Sequence, residues 1–321
     1  MKKDLSEKDP ELESAHAKET LYVKANQKIT YPFDLDSERA ISFKSMEPYL
    51  DIFNEYGVLV FRNFFDGDPL YDSFYTDLVS LASIIIEKHD LSIDTSAPLN
   101  KILTQISKTH RKEIGFIYDL GTRPLKLTSG VKLKSHNAII KMLNAVMGED
   151  AILAHPYLGE TLHIFPPGDE NFKYNLPMHQ DYPYILQSPE QVTAYINLGC
   201  YQDNSKNGGI RIWPGSHKEG ISPSTVLPNS LRITSNTEHF IEQYQSIDIN
   251  FDQGDFAIFD SLLQHEGIQN HTDCTRVVQL VRYSNLRNET STHNHWQSSE
   301  GISKGLQFAQ AHKDLNIDSD A

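Results

Sequence analysis

The stretch that decides the fold is residues 254–281, which read GDFAIFDSLLQHEGIQNHTDCTRVVQLV. A Gly254-Asp255 turn leads into an apolar run that ends at His265, and a second apolar run begins at Arg276 after a polar loop. Two apolar runs joined by a short polar loop are typical of a β-hairpin. We therefore expect Arg276 to return beside His265, although it follows that histidine by eleven positions.

Short strands separated by Gly, Pro, Asn and Asp turns continue the same pattern through the C-terminal half. Such a series is typical of a sandwich or barrel, in which closing one sheet over another shelters the strand edges. The predicted strands span 152–165, 192–198, 210–213, 246–251, 255–259 and 276–283.

The N-terminal half carries helical patterns instead. Apolar residues at three- and four-residue spacings predict helices at about 37–55, 69–88, 99–117 and 135–147, with a buried strand at 58–61. These helices are expected to support one face of the sheet. The sequence thus predicts a mainly β protein with flanking helices. Its organisation would be a polar, mobile arm at 1–27, one domain at 28–300 with helical support from about 37–148, and a short helix with a loose acidic tail at 301–321.

Composition narrows the class of protein. With 29 basic and 43 acidic residues the net charge is −14, which argues against nucleic acid as a partner. We find no run of ~20 apolar residues that would cross a bilayer and no apolar core of a secretory signal. Two cysteines, far apart in sequence, give no disulfide framework and favour a reducing compartment. A cytoplasmic protein is the resulting expectation, and the sequence is silent on its oligomeric state.

The chemistry-bearing motif is Met178-His179-Gln180-Asp181-Tyr182. In an extended segment, residues two apart project to the same side, so His179 and Asp181 can reach one metal ion while Gln180 points away. With His265 they provide two imidazoles and one carboxylate, the ligand set of non-haem Fe(II) oxygenases with open coordination positions. A structural zinc site would close with four ligands, usually including thiolates, and the cysteines form no such cluster.

Two further pieces accompany this motif. A guanidinium at Arg276 can bind a carboxylate through two parallel hydrogen bonds, although a surface ion pair would also explain an arginine there. Between the two histidines, paired glycines at Gly208 and Gly209 open a short strand that Pro214-Gly215-Ser216-His217 closes. With these pieces in this order, the chain from about 153 to 284 resembles the phytanoyl-CoA dioxygenase family of Fe(II)- and 2-oxoglutarate-dependent oxygenases.

The resemblance implies a double-stranded β-helix, a jelly roll of the cupin-like kind, with a metal at its mouth. It also implies that His179, Asp181 and His265 bind Fe(II) and that Arg276 binds the far carboxylate of 2-oxoglutarate. The cofactors would be Fe(II), 2-oxoglutarate and O2. The reaction would hydroxylate a small organic substrate while 2-oxoglutarate is decarboxylated to succinate and CO2.

The chain departs from the family at Phe165, because many members place a lysine just before the Pro-Pro-Gly that follows. Help for the near carboxylate of the cosubstrate would then come from other side chains. The candidates are His163, Tyr174, Thr193 and Tyr195. Aromatic residues close to the motifs are candidates for the substrate pocket, with core packing as the alternative: Tyr157, Tyr182, Tyr184 and Trp213.

Two other classes of protein remain open from sequence. A non-catalytic jelly-roll protein could bind a metal or small ligand, but it would not need open iron positions and a carboxylate clamp. A cupin-like metal-dependent hydrolase or isomerase would use the triad and leave Arg276 without a task. Within the oxygenase reading, the substrate is undetermined, and desaturation or cyclisation stays open beside hydroxylation.

Overall fold

The computed structural model describes residues 33–35, 41–43, 47–109, 127–148, 152–154, 160–168, 176–185, 188–199, 208–226, 233–235, 237–249 and 251–293. The strands in these ranges are β1 (Phe33–Leu35), β2 (Ile41–Phe43), β3 (Val58–Phe61), β4 (Ile152–Ala154), β5 (Glu160–Phe165), β6 (Gln191–Gly199), β7 (Ile210–Ile212), β8 (Ser224–Val226), β9 (Ile233–Ser235), β10 (Ile247–Ile249), β11 (Phe256–Asp260), β12 (His265–Gly267) and β13 (Arg276–Asn285). The helices are α1 (Glu47–Tyr56), α2 (Pro69–Lys88), α3 (Leu99–Thr109), α4 (Thr128–Lys134), α5 (Asn137–Met147), α6 (Tyr182–Ile185), α7 (Thr237–Gln243) and α8 (Glu289–His293).

Two antiparallel sheets form the centre of the fold. The major sheet has the strand order β3-β11-β6-β13-β4, with β5 also paired to β13, and the minor sheet has the order β10-β7-β12. Apolar side chains from both sheets pack into one cluster that includes Val60, Phe259 and Leu280 from the major sheet and Ile212 and Ile249 from the minor sheet. This two-sheet sandwich confirms the predicted jelly-roll core.

The side chains of β13 alternate between two environments, as the period-2 geometry of a strand requires. Val277 and Val281 join the apolar cluster beneath the helices, whereas Val278 and Leu280 face the minor sheet. Arg276 and Arg282 share the parity of Val278 and Leu280. Two arginines therefore project into the space between the sheets.

The helices cover the other face of the major sheet. Phe74 and Leu78 of α2, Ile102 and Ile106 of α3 and Met142 of α5 pack in one cluster with sheet residues. The helical support predicted for this half of the chain is thus observed, and it leaves the face towards the minor sheet available for a site.

A pair of capping residues joins two of these helices. Asp68 Oδ1 accepts hydrogen bonds from the first backbone N–H groups of α2, and His136 Nδ1 accepts one from Ala138 N at the start of α5. Because His136 Nδ1 is an acceptor, its Nε2 carries the proton and donates to Asp68 Oδ2 at 3.0 Å. The pair therefore satisfies orphan helix donors and ties α2 to α5.

Several sequence predictions need correction. The helix predicted at 37–55 is wrong in its first half, because residues 41–43 form β2, paired with β1, and α1 begins only at Glu47. The β-branched and aromatic residues Ile41 and Phe43 suit a strand as well as a helical stripe, so short windows of this kind are ambiguous. The helix predicted at 135–147 begins two residues later, after a separate helix, α4.

Other predictions lie partly or wholly outside the described residues. Helix α3 confirms the prediction for 99–117 as far as Thr109. The arm at 1–27 and the helix and tail at 301–321 lie outside the described residues.

The cysteines also differ from expectation. Cys274 is disulfide-bonded, and the sequence holds one other cysteine, Cys200, which lies outside the described residues. Separation in sequence is a poor guide to distance in space here, because the pairing of β6 with β13 places Gly199 opposite Val277. The disulfide therefore removes the support that unpaired thiols would give to a reducing compartment.

In the part of the chain that the structure describes, no helix has the length and apolar character needed to span a membrane.

Candidate functional site

The two histidines of the motif are brought together by backbone pairing. His179 N donates to His265 O at 2.9 Å, and His265 N donates to His179 O at 3.0 Å, so the segment before Asp181 forms an antiparallel bridge with β12. The ligand atoms of His179, Asp181 and His265 all lie within 4.8 Å of one another. Residues that are far apart in sequence thus form one compact, buried group of three donors.

Backbone carbonyls orient both imidazole rings. His179 Nδ1 lies 2.7 Å from Pro177 O, and His265 Nδ1 lies 3.0 Å from Leu263 O. A carbonyl only accepts, so each Nδ1 carries the proton and each Nε2 presents its lone pair. The two Nε2 atoms lie at 3.9 Å from the same oxygen, Asp181 Oδ1. The two Nε2 atoms and the carboxylate oxygen are therefore three donors that converge on a common centre.

Burial keeps both rings neutral. Burial and the neighbouring His265 lower the pKa of His179 to about 3, and burial lowers the pKa of His265 from its ordinary value, against the opposing charge of Asp181. Neutral imidazole is the form that binds a metal. The site is therefore prepared for a cation at neutral pH without losing protons from its histidines.

Asp181 is held by two side chains that the sequence reasoning did not connect with it. Arg282 donates through Nε to Asp181 Oδ2 at 3.0 Å and through Nη2 to Oδ1 at 2.9 Å, and Thr193 Oγ1 donates to Oδ2 at 2.6 Å. Burial acts to raise the pKa of Asp181, but the charge of Arg282 and its hydrogen bonds outweigh burial, and the pKa falls below its usual range. The carboxylate is therefore ionised.

Glutamine side chains fix the segments around the triad. Gln180 points away from the histidines, as predicted, and donates to Gly220 O and Leu262 O while accepting from Ser222 N. Gln264 donates through its amide to Ser222 Oγ. Residues 220–222 are thus braced against both halves of the metal motif.

The Pro-Gly-Ser-His turn is a structural element. Ser216 Oγ accepts from Gln264 N, and Gly215, at φ +85°, donates its N–H to Tyr56 O. The ring of His217 packs so closely on Gly57 that a Cβ there would lie 2.5 Å from its Nδ1. His217 therefore anchors the turn against the end of α1.

Arg276 is buried rather than engaged in a surface ion pair. It is 1% exposed, and its guanidinium carbon lies 4.0 Å from the centre of the Phe165 ring, its register partner on β5. Burial lowers its pKa from the ordinary value, and the Tyr195 phenol opposes that effect. Among the described residues, neither Arg276 Nε and Nη1 nor Tyr195 Oη has a hydrogen-bond partner.

These orphaned atoms are informative because a buried donor without a partner costs about 1–3 kcal/mol. A cation aimed into the space between the sheets, with unused N–H groups, suits an anionic ligand.

Asn270, a polar residue in the loop between His265 and Arg276, has a turn-forming role, since it donates to Phe165 O and Cys274 O and accepts from Thr272 N.

The remaining candidates separate into groups. Thr193 donates to Asp181, so it is not free to donate to the near carboxylate as suggested, and Tyr195 faces Arg276 instead. His163 has an edge contact with Phe165 at a centroid distance of 5.8 Å. Tyr174 and Tyr157 lie outside the described residues.

Of the predicted pocket residues, Tyr184 is closest to the triad. Its ring meets the His179 ring edge-on at a centroid distance of 5.5 Å. Tyr182 packs with Ile221 and Leu262, and Trp213 packs in a small apolar cluster with Met178 and Phe240. Packing accounts for Trp213 and Tyr182, while Tyr184 remains a candidate for substrate contact.

The chain is similar to several solved structures. The epimerase SnoN in complex with Fe3+, alpha ketoglutarate and nogalamycin RO shares 12% identity at a TM-score of 0.51, covering 80% of this chain and 91% of its own. EctD from S. alaskensis with bound Fe shares 14% identity at 0.47, covering 75% and 77%. The non-heme monooxygenase ThoJ in its apo form shares 15% identity at 0.45, covering 74% and 77%.

At the sequence level, no curated protein matches the chain. A family model does match, that of phytanoyl-CoA dioxygenase (PhyH), over residues 124–278. This stretch contains the three clustered donors and Arg276, and it ends before Arg282. The segment from 124 to 278, slightly less than half of the chain, is therefore similar to the phytanoyl-CoA dioxygenase family, and it lies within a jelly roll.

Proposed function

We propose that the protein is an Fe(II)- and 2-oxoglutarate-dependent dioxygenase that hydroxylates a small organic substrate. The observation that carries this proposal is the presence of two unusual features in the space between the two sheets. One is a buried cluster of two neutral imidazoles and a carboxylate, and the other is a buried arginine with unused N–H groups. The similarity of the segment to that family supports the same conclusion.

The residues fit both groups. Two nitrogen donors and one oxygen donor are the facial set for non-haem Fe(II), and they leave positions for a chelating cosubstrate and O2. A guanidinium can bind a carboxylate through two parallel hydrogen bonds, and two nitrogens of the buried Arg276 guanidinium, Nε and Nη1, have no partner among the described residues. Bound iron and 2-oxoglutarate supply the O2 activation that oxidises the substrate while the cosubstrate becomes succinate and CO2.

The protein's own contribution is placement. His179, Asp181 and His265 would hold the metal, and Arg276 would hold the far carboxylate, with Tyr195 Oη as a second donor beside it. The Phe165 ring, and the Tyr195 ring stacked on Phe251 at 4.3 Å, make this end of the site apolar and keep water from the guanidinium. Fixing one end of the cosubstrate orients its other end towards the triad.

Hydroxylation is the preferred outcome within this chemistry. Related halogenases replace the carboxylate ligand by a small residue, and this chain keeps Asp181. SnoN is described as an epimerase, so the fold also carries other oxidative outcomes. Hydroxylation of the substrate is therefore the finer part of the proposal, and the substrate is taken to be a small molecule rather than nucleic acid.

The two alternative classes explain less. A metal-binding jelly roll or a cupin-like hydrolase accounts for the triad, but neither gives Arg276 a partner for its buried nitrogens. A location in the cytoplasm stays a part of the proposal that the disulfide-bonded Cys274 does not support.

The test is turnover of 2-oxoglutarate by iron-loaded protein in air. We expect succinate to form slowly without substrate and to require both Fe(II) and 2-oxoglutarate, with a screen of small molecules raising the rate. His179→Ala should abolish the reaction, because it removes an iron ligand. Succinate formation at the same rate in His179→Ala, or no turnover and no binding of 2-oxoglutarate by the wild type, would overturn the proposal.

A further inference from the structure

The carboxylate of Asp181 has two oxygens in different surroundings. Oδ1 lies 3.9 Å from Nε2 of both histidines, so it is the oxygen that faces the common centre of the triad. Oδ2 instead accepts from Thr193 Oγ1 at 2.6 Å and from Arg282 Nε at 3.0 Å. Oδ1 also accepts from Arg282 Nη2 at 2.9 Å, so one oxygen faces both the triad and Arg282, whereas the other is held only by residues of the sheet.

The sheet builds this arrangement through its register. Thr193 on β6 and Arg282 on β13 are direct cross-strand partners, and both project into the space between the sheets. They are 0% and 7% exposed. The Thr193 hydroxyl and the Arg282 guanidinium, on two central strands, thus lie together beside Asp181, and burial restricts the rotamers of both side chains.

A carboxylate without such partners is a variable ligand. The last torsion of aspartate is broad and roughly two-fold, so the group can rotate and present either oxygen, or both, to a cation. Binding through both oxygens would take up a coordination position that the cosubstrate or O2 needs. The donors of Arg282 and Thr193 oppose this rotation, because turning Asp181 would break up to three buried hydrogen bonds, all of them to an ionised carboxylate.

We propose that Arg282 and Thr193 are positioning residues that hold Asp181 as a ligand through Oδ1 alone. The role rests on the triad binding a metal, as in the proposed function, but not on 2-oxoglutarate. Neither residue touches the reacting atoms; both act through Asp181. Partners of this kind orient the groups that bind a metal, and their loss typically lowers metal affinity about 10- to 100-fold.

A purely structural ion pair is the competing explanation. It predicts that changes at Arg282 or Thr193 alter stability and leave the metal's surroundings unchanged. The two explanations therefore differ in the spectrum and affinity of the bound metal rather than in folding.

The experiment loads metal-free full-length protein with Co(II), whose visible d–d bands report its coordination. The variants are Thr193→Val, which is isosteric and removes the hydroxyl, Thr193→Ser, which keeps it, and Arg282→Lys, which keeps the charge and loses the two-point geometry. Arg211→Lys is a matched control, because Arg211 also binds an aspartate, Asp248, through Nε and Nη2, on the exposed face of the minor sheet.

We expect Thr193→Val and Arg282→Lys to bind Co(II) about 10-fold or more weakly with altered d–d bands. Thr193→Ser and Arg211→Lys should match the wild type in both readouts. Folding of each variant is checked by circular dichroism, and if Arg282→Lys does not fold, the comparison of Val with Ser at position 193 decides.

Wild-type affinity and bands in folded Thr193→Val would overturn the inference. So would a wild-type protein that binds neither Co(II) nor Fe(II), because Asp181 would then have no metal to serve. Metal binding without any binding of 2-oxoglutarate would contradict the proposed function alone, and the Co(II) comparison would still decide the role of Arg282 and Thr193.

Discussion

At the scale of single residues, the site depends on polar atoms that burial leaves without partners. Arg276 Nε and Nη1 and Tyr195 Oη are unsatisfied within the described residues, and all belong to the same end of the space between the sheets. A native protein tolerates such groups where a ligand completes them. These polar atoms should therefore strengthen cosubstrate binding while they lower the stability of the protein without cosubstrate.

Tyr195→Phe tests the contribution of the phenol to both effects. The ring keeps its stacking on Phe251. The hydroxyl makes no hydrogen bond of good geometry but lies near the Arg276 guanidinium, so its removal should change the stability of the empty protein little. The same change should weaken binding of 2-oxoglutarate several-fold, because the carboxylate loses one donor. Urea unfolding and an anaerobic titration measure the two effects. A destabilised variant with unchanged cosubstrate affinity would contradict the role given to Tyr195.

Sequence patterns singled out His179, Asp181 and His265, which the structure brings together, and Arg276, which it buries; their roles stay predictions. Arg282 was missed, since no motif includes it. Period-2 reasoning contains the signal: Arg282 follows Arg276 by six positions on one strand, so both must face the same side. Its pairing with Asp181 depends on the register of three separate segments, which a single sequence does not specify.

At the scale of elements, tight turns bring the strands of the minor sheet close together. Gly208 has φ +70°, and a Cβ there would lie 2.6 Å from the backbone of Gln269, in the loop between β12 and β13. Glycine is required here for two reasons, its positive φ and the close approach of the Gln269 backbone.

Gly208→Ala should therefore destabilise the protein by clearly more than the roughly 1–2 kcal/mol that a left-handed conformation costs an alanine. Gly148→Ala is the matched control, because Gly148 has φ +67° and nothing within 4 Å of the added Cβ. Chemical denaturation of both variants gives the difference, which reports the backbone clash. Equal losses in the two variants would show that the loop moves away at no cost.

The end of β11 offers a second test. Burial raises the pKa of Asp260 to about 7, with the nearby Glu190 contributing, although its Oδ1 accepts from Leu262 N. Because the folded pKa is raised, the stability that this carboxyl contributes is fully present below about pH 3.8, the ordinary value, and is lost as the pH rises through about 7.

Asp260→Asn should thus raise the melting temperature by a few degrees at pH 8 and change it little at pH 4. The amide oxygen can still accept from Leu262 N, and the charge that opposes folding at high pH is gone. Thermal melts at the two pH values measure this. If Asp260→Asn lowers the melting temperature relative to the wild type more at pH 8 than at pH 4, the raised pKa of Asp260 is contradicted.

Prediction of elements succeeded where the pattern was long. The strand predicted at 276–283 is β13, at Arg276–Asn285, and the helix predicted at 69–88 has those bounds. The first part of the predicted helix at 37–55 failed, because its two apolar residues pair with a neighbouring strand. Such pairing is decided by tertiary contacts rather than by the local pattern.

At the scale of the whole molecule, the major sheet separates two apolar clusters with different tasks. The larger cluster joins the sheet to the helices, whereas the smaller one lies between the sheets together with the buried charges. A sandwich or barrel could be predicted from turns and short strands, and its jelly-roll form was implied by the family resemblance. The disulfide at Cys274 could not, since it depends on how strands pair across the sheet.

The buried charges make the metal-free protein sensitive to acid. The pKa of His179 is about 3 when folded and 6.5 in its ordinary state, so below pH 6.5 the unfolded chain takes up a proton that the folded state refuses. Stability should fall as the pH drops from 6.5 towards 3, and the lowered pKa of Asp181 adds to the loss at the acid end. Urea midpoints across this range should fall less steeply for His179→Gln, and parallel curves would contradict the burial argument.

The central claim is that one site binds a metal at the triad and a dicarboxylate through Arg276. The most direct measurement is anaerobic addition of Fe(II) and then 2-oxoglutarate to metal-free protein, following the weak visible charge-transfer band of the chelate. We predict that the band appears in the wild type, and that Arg276→Met binds iron equally well but needs about 100-fold more 2-oxoglutarate, as expected for the loss of hydrogen bonds to a charged group. Bound iron without the band, or the same requirement for 2-oxoglutarate in Arg276→Met, would contradict the account.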